Sequence, residues 1–208
     1  MKRRVWLGSS LLGLGFALLG CASPPKTVSR IDPGTTVDLS GNWNDTDSRL
    51  VSDEMIHDAL TMGGQSRPWL ATFTQTNGKN PAIIVGAMRN MTDEHIATGV
   101  FVGDIERAFI NSGTVRVVAT QDERSDVRSE RRDQQANASD ETVKAFGLEL
   151  GADYMLIGSI NKITDQEGKE MVAFYQVDMN LTDIQSNEKV WSGQKKIKKY
   201  IAHRPYKP

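Results

Sequence analysis

The sequence predicts an α/β fold: a two-layer sandwich in which a mixed sheet of about five strands carries its helices mainly on one face. Three observations lead there. Ile83, Ile84 and Val85 are consecutive apolar residues, as a central strand buried on both faces requires. Phe101, Ile105, Ala108 and Phe109 recur at i, i+4, i+7 and i+8, one face of a helix. From residue 171 to 183 every second residue (Met171, Ala173, Tyr175, Val177, Met179, Leu181) is apolar and the other face turns polar over its second half, the period of a strand with one packed face.

The chain opens MKRRVWLGSSLLGLGFALLGC. Lys2, Arg3 and Arg4 make a positive n-region, and residues 5–19 are apolar or small. That run is shorter than the roughly 20 residues a bilayer span takes, so it reads as a cleaved signal. Leu18-Leu19-Gly20-Cys21 has the shape of a bacterial lipobox. Residues 1–20 are therefore expected to be a lipoprotein signal peptide, with Cys21 the lipid attachment residue. Its thiol takes a diacylglycerol, and each buried acyl CH₂ contributes about 0.8 kcal/mol, so two or three chains anchor durably. Arg3-Arg4 followed by Val-Trp-Leu also resembles a twin-arginine signal, which leaves the export route open.

Cys21 is the only cysteine, so the mature chain is expected to rely on a packed core rather than on disulfides. Taking Lys2, Arg3 and Arg4 from 25 basic residues leaves 22 against 26 acidic ones, a formal charge of −4. That balance gives no reason to expect nucleic acid as a partner. Residues 21–42 hold Pro24, Pro25, Pro33, Gly34 and Gly41 among polar residues, with no apolar period, and read as a lipidated flexible tether. Residues 43–203 are expected to form the domain, with 204–208 a tail.

Within the domain, Asp47 or Ser48 is expected to cap a helix that ends at Gly63-Gly64. A short helix after Pro68 would carry Trp69, Leu70 and Phe73. Pro81 opens a strand through PAIIVGAMRNM, the helix GVFVGDIERAFINSG ends at Gly113, and TVRVVAT is the next strand. Strand, helix, strand at these lengths signals a βαβ unit. A further helix is expected over SDETVKAFGLELGAD, with Val143, Phe146 and Leu150 on one face, and then the strand YMLIGSINKI. Residues 165–169, containing Gly168, are expected to turn into the alternating strand, and residues 185–188 into the last strand, KVWSGQKKIKKYI. The short turns predict antiparallel pairing among these three.

No catalytic constellation is apparent. His57 falls in a helix, His95 in a loop and His203 near the end, none at metal-ligand spacing or beside a nucleophile. The chain is expected to be no enzyme and to need no metal or other cofactor. The stretch DERSDVRSERRDQQANA is more informative. If helical, it gathers Arg124, Arg128, Arg131 and Arg132 within an arc of about 100° and Asp122, Asp126, Glu130 and Asp133 opposite. Two readings stand: a solvated face or mobile loop, or a docking arm whose guanidinium forks take carboxylates from a partner protein or from elsewhere in the sheet. Lys195, Lys196, Lys198 and Lys199 also allow two readings, protection of an edge strand or contact with anionic headgroups or acidic glycans.

Five stretches carry a family resemblance: GNWNDTDSRLV, PAIIVGAMRNMTDEHI, VRVVATQDERSDVRSERRDQQ, LELGADYMLIGSI and YQVDMNLTDIQSNEKVWSGQKKIKKYI. In this order behind a lipobox they resemble the LpoB-type lipoproteins, the penicillin-binding-protein activators. Gly-Ala-Asp-Tyr and Val-Trp-Ser-Gly are similar also to the curli-secretion lipoproteins of the CsgG type and to the N-terminal domain of TolB-like proteins. The resemblance implies a non-catalytic periplasmic lipoprotein on the outer membrane that binds and activates a class A penicillin-binding protein, a bifunctional peptidoglycan synthase. Ala22 after the cysteine points the same way. The alternative is a structural or secretion-associated lipoprotein of the CsgG type that oligomerises. A pore former needs membrane strands of roughly 9–11 alternating residues. The one candidate, at 171–181, is needed for the core, which favours a monomer.

Overall fold

The alternation at 171–182 is realised as the middle strand of an antiparallel meander. The computed structural model describes residues 27–137 and 149–202. Cys21 and its leader, residues 138–148 of the helix expected after Ser139, His203 and the tail 204–208 lie outside them. Residues 27–35 make one turn at Pro33-Gly34, where the Thr35 N–H donates to the Asp32 carbonyl at 3.0 Å.

In the domain the elements run α1 (Asp45–Leu60), the two-residue strands β1 (Thr61–Met62) and β2 (Gln65–Ser66), α2 (Pro68–Asn77), β3 (Ala82–Met91), α3 (Thr98–Ser112), β4 (Arg116–Val117), α4 (Gln121–Asn137), β5 (Tyr154–Glu167), β6 (Glu170–Asp183) and β7 (Lys189–Ala202). Five strands form one mixed sheet in the order β4-β3-β5-β6-β7. β3 pairs in parallel with both β4 and β5, and the β5–β6–β7 meander is antiparallel. This is the predicted α/β fold. Phe101, Ile105 and Phe109 of α3 are fully buried over the sheet, as are Ala173, Tyr175, Val177, Met179 and Leu181 of β6.

Four expectations need correction. α1 is capped one turn early: the Asn44 side chain accepts from the Asp47 N–H and the Asp47 carboxylate from the Asn44 N–H, a reciprocal capping box. Asp47 is thus the fourth and last residue of the motif rather than its first. α1 also stops at Leu60, because Gly63 and Gly64, both at positive φ, turn the β1–β2 hairpin instead of ending the helix. β4 is only two residues long. Glu123 accepts from both the backbone N–H and the hydroxyl of Thr120, which starts α4 at once. Finally, β5 runs on to Glu167, so the turn before β6 is only Gly168-Lys169.

At the far end of the meander a strap, residues 38–44, lies against β6 and β7. Lys199 donates to Asp38 (2.9 Å), Asp47 (2.6 Å) and the Asn42 carbonyl (3.0 Å). Next to it the Glu94 carboxylate accepts from the Trp43 N–H (2.9 Å), from Lys162 (2.8 Å) and from the Tyr175 hydroxyl. Burial alone would raise the Glu94 carboxyl, but the Lys162 and Tyr175 hydrogen bonds outweigh it and hold it below its ordinary value of 4.5. The Lys199 and Asn44 bonds lower Asp38 below 3.8. Burial opposes the charge on Lys162 and Lys199, yet their carboxylate partners raise both above 10.5.

These shifts set a pH dependence. Depressed carboxyls stabilise the fold above their unfolded values and lose that contribution as pH falls through the folded ones. Raised lysines contribute below 10.5 and lose it above their folded values. The melting temperature should therefore decline as pH falls below about 4.5 and Glu94 and Asp38 protonate, with a second decline only above about pH 10.5. Thermal melts followed by circular dichroism check this; a flat profile on the acid side would mean that the strap network adds nothing to stability.

Candidate functional site

α4 is a helix of 17 residues with no buried side chain. Its ends and flanks are satisfied locally. Asp122 and Glu123 occupy the first turn, where the helix dipole favours negative charge. On the acidic flank Gln134 donates to Glu130 and Asn137 to Asp133, both at 2.9 Å and four residues apart.

The arginine flank reaches outward instead. Arg128 grips Glu149 with a bidentate fork, Nε to Oε1 at 2.8 Å and Nη2 to Oε2 at 2.7 Å. Arg131 approaches the same carboxylate at 3.5 Å. Arg124 turns its Nη1 to the Ala119 carbonyl at 3.3 Å, and its Nε is buried with no partner among the described residues. Arg132 folds back on its own helix, Nε to the Arg128 carbonyl at 3.3 Å. The four predicted arginines therefore divide. Arg124, Arg128 and Arg131 gather beside Glu149, and Arg132 does not. The Arg128 hydrogen bond, then the charges of Arg128, Arg131 and Arg124, hold the Glu149 carboxyl below its ordinary value; Glu149 in turn raises Arg128.

Glu149 was not a candidate in the sequence. It lies 21 residues from Arg128, and no local spacing signals the pair. Between α4 and the start of β5 lies a recess of about 240 Å³. Val118, Val127 and Leu150 give it an apolar lining, and Arg124, Arg131 and Glu149 its charge. Chemically the arrangement holds one carboxylate, that of Glu149, in a guanidinium fork.

Other charged groups are occupied structurally. In the cleft between α1 and β7, Glu54 pairs with Lys195, and Asp58 takes both Arg67 and the Trp191 indole N–H. β7 is an edge strand on which Lys195 and Lys199 turn toward the helices and into ion pairs, whereas Lys196 and Lys198 stay exposed. The His57 ring meets the Thr61 hydroxyl at 3.1 Å. Among the described residues no group of three or more His, Cys, Asp or Glu side chains is placed to hold a metal ion. No helix among them is long and apolar enough to cross a membrane.

Residues 47–197 match the family model of the peptidoglycan-synthase activator LpoB. Comparison with curated proteins finds no match. Among solved structures, the chain is similar to the LpoB C-terminal domain from Salmonella enterica, with 19% identity, 62% of this chain and 93% of that one covered, and a TM-score of 0.34. The LpoB C-terminal domain from Escherichia coli gives 16%, 62%, 93% and 0.36. Lipoprotein GNA1162 from Neisseria meningitidis gives 17%, 58%, 83% and 0.36. Because the family match takes in well over half of the sequence, the chain belongs to the LpoB family of peptidoglycan-synthase activators.

Proposed function

We propose that the chain is a lipoprotein, anchored through Cys21 in the outer membrane and facing the periplasm, that binds a class A penicillin-binding protein and raises its synthase activity. The family match over residues 47–197 carries this reading. The protein acts as a monomeric ligand rather than as an enzyme. To activate, it must bind the active conformation of the synthase more tightly than the idle one; a coupling of about 1–3 kcal/mol changes the balance five- to 150-fold. The surface assigned to docking is the arginine flank of α4, with Arg124, Arg128 and Arg131 at its centre and Arg132 at its margin. The comparisons give no support to the curli-secretion alternative.

The strap bears on reach. Asp38 and Asn42 are bonded to Lys199, so on this reading residues 22–37 are the length of chain between Cys21 and the first residue bonded to the domain. At about 3.3–3.6 Å per residue these 16 residues extend at most ~55 Å. The synthase must present its docking face within that distance of the outer membrane plus the breadth of the domain that carries α4.

Crosslinking in cells followed by capture of the tagged protein tests the reading. The full chain should recover a class A synthase, and the Cys21→Ser variant should recover much less, because it loses the high effective concentration that anchoring gives. Purified domain should also speed glycan polymerisation by that synthase. Recovery of no penicillin-binding protein, or an unchanged polymerisation rate, rejects the proposal.

A further inference from the structure

Glu149 occupies the place that a partner's carboxylate would take. We infer that it is a built-in competitor: the Arg128–Arg131 pair docks an acidic segment of a protein partner only after that segment's carboxylate displaces Glu149, while an apolar side chain beside it enters the Val118–Val127–Leu150 recess. The inference rests on the docking reading above and adds the ligand chemistry and its regulation.

Four observations carry it. The bond is a two-point fork with both N···O distances below 2.9 Å, the geometry in which a guanidinium takes a planar carboxylate through two parallel hydrogen bonds. The pair is half open, with Arg128 51% and Glu149 31% exposed, so an incoming carboxylate can reach it. Arg124 Nε adds a buried donor without a partner at the edge of the recess. And α4 buries no side chain of its own, so this ion pair is not a by-product of core packing. An exposed pair of this kind holds its carboxylate weakly. A partner that supplies the same fork contact and also fills the apolar recess wins, whereas a lone carboxylate in solution does not.

The test measures binding of the purified domain to the purified ectodomain of the class A synthase from the same bacterium. Glu149→Gln should bind about two- to fivefold tighter, the range expected on removing an exposed competing ion pair. Arg128→Glu combined with Arg131→Glu should lose binding, and Val127→Asp should weaken it severalfold. Melting curves should stay near wild type, since none of these side chains lies in the core. If Glu149→Gln binds equally or more weakly while the arginine reversal still loses binding, Glu149 is not a competitor and only the docking surface stands. Unchanged affinity in Val127→Asp removes the recess from the recognition. If the arginine reversal binds like wild type, the docking surface itself is wrong, and the competitor with it.

Discussion

Replacing Glu94 with Ala is expected to destabilise the domain by about 2–4 kcal/mol. The Glu94 and Lys162 side chains are only 11% and 7% exposed. Removing the carboxylate leaves the Lys162 ammonium in that setting, strips the Trp43 N–H of its acceptor and leaves the Tyr175 hydroxyl only the Gly41 carbonyl at 3.4 Å. Breaking a fully buried ion pair costs about 3–5 kcal/mol. The estimate here is lower because Asp93, itself exposed, still stands 3.1 Å from Lys162. Glu94→Gln keeps an acceptor for the neutral donors and should lose roughly half as much. A double variant, Glu94→Leu with Lys162→Met, removes both charges together and should be milder than Glu94→Ala alone. Urea denaturation of the four proteins checks the order. If Glu94→Ala costs under about 0.5 kcal/mol, the network is no more than a surface pair.

That network also marks the limit of what the sequence discloses. α3 and β6 are legible because burial imposes a period on each, and β3 because an unbroken apolar run after Pro81 marks a buried strand. The antiparallel meander followed from turns of two to five residues. The start of α1 was misplaced by a turn because Asn44, Asp45, Asp47 and Ser48 are all good caps. The choice among them falls to tertiary contacts: Trp43 donates to Ser48 at 2.8 Å and Lys199 to Asp47. Tyr175 reads as one more residue of an alternating strand, and its partner Glu94 lies 81 residues away in a loop. The candidate site divides in the same manner. The arginine stripe of α4 is a matter of helical spacing and could be drawn from residues alone. Glu149 reaches it across a fold, so no local pattern could announce it.

Phe101→Ala should cost about 3–5 kcal/mol, the range for emptying an aromatic site that cannot collapse. Phe101 is fully buried on α3, beneath the sheet. Its ring meets Trp43 edge-on at 5.8 Å, and Trp43 meets Tyr175 at 5.7 Å. The three rings form a chain from the core of the domain to the strap. Truncation therefore acts twice: it opens a cavity, and it removes the surface on which Trp43 rests while its N–H is bound by Glu94. Phe101→Leu fills most of the space and should cost less, but it also forfeits the edge contact, worth about 0.5–1.5 kcal/mol. The second effect separates this site from other core positions. Phe101→Ala should loosen residues 38–44 ahead of global unfolding, seen as faster amide exchange at the strap than at β6, whereas truncation of Leu156, buried away from these rings, should not. A strap released in this way adds seven residues, about 23 Å, to the reach of the tether. A Phe101→Ala domain that still folds would then dock over a wider gap from the membrane, at a lower effective concentration. Equal exchange rates at the strap in the Phe101 and Leu156 variants would show that the aromatic chain does not hold it.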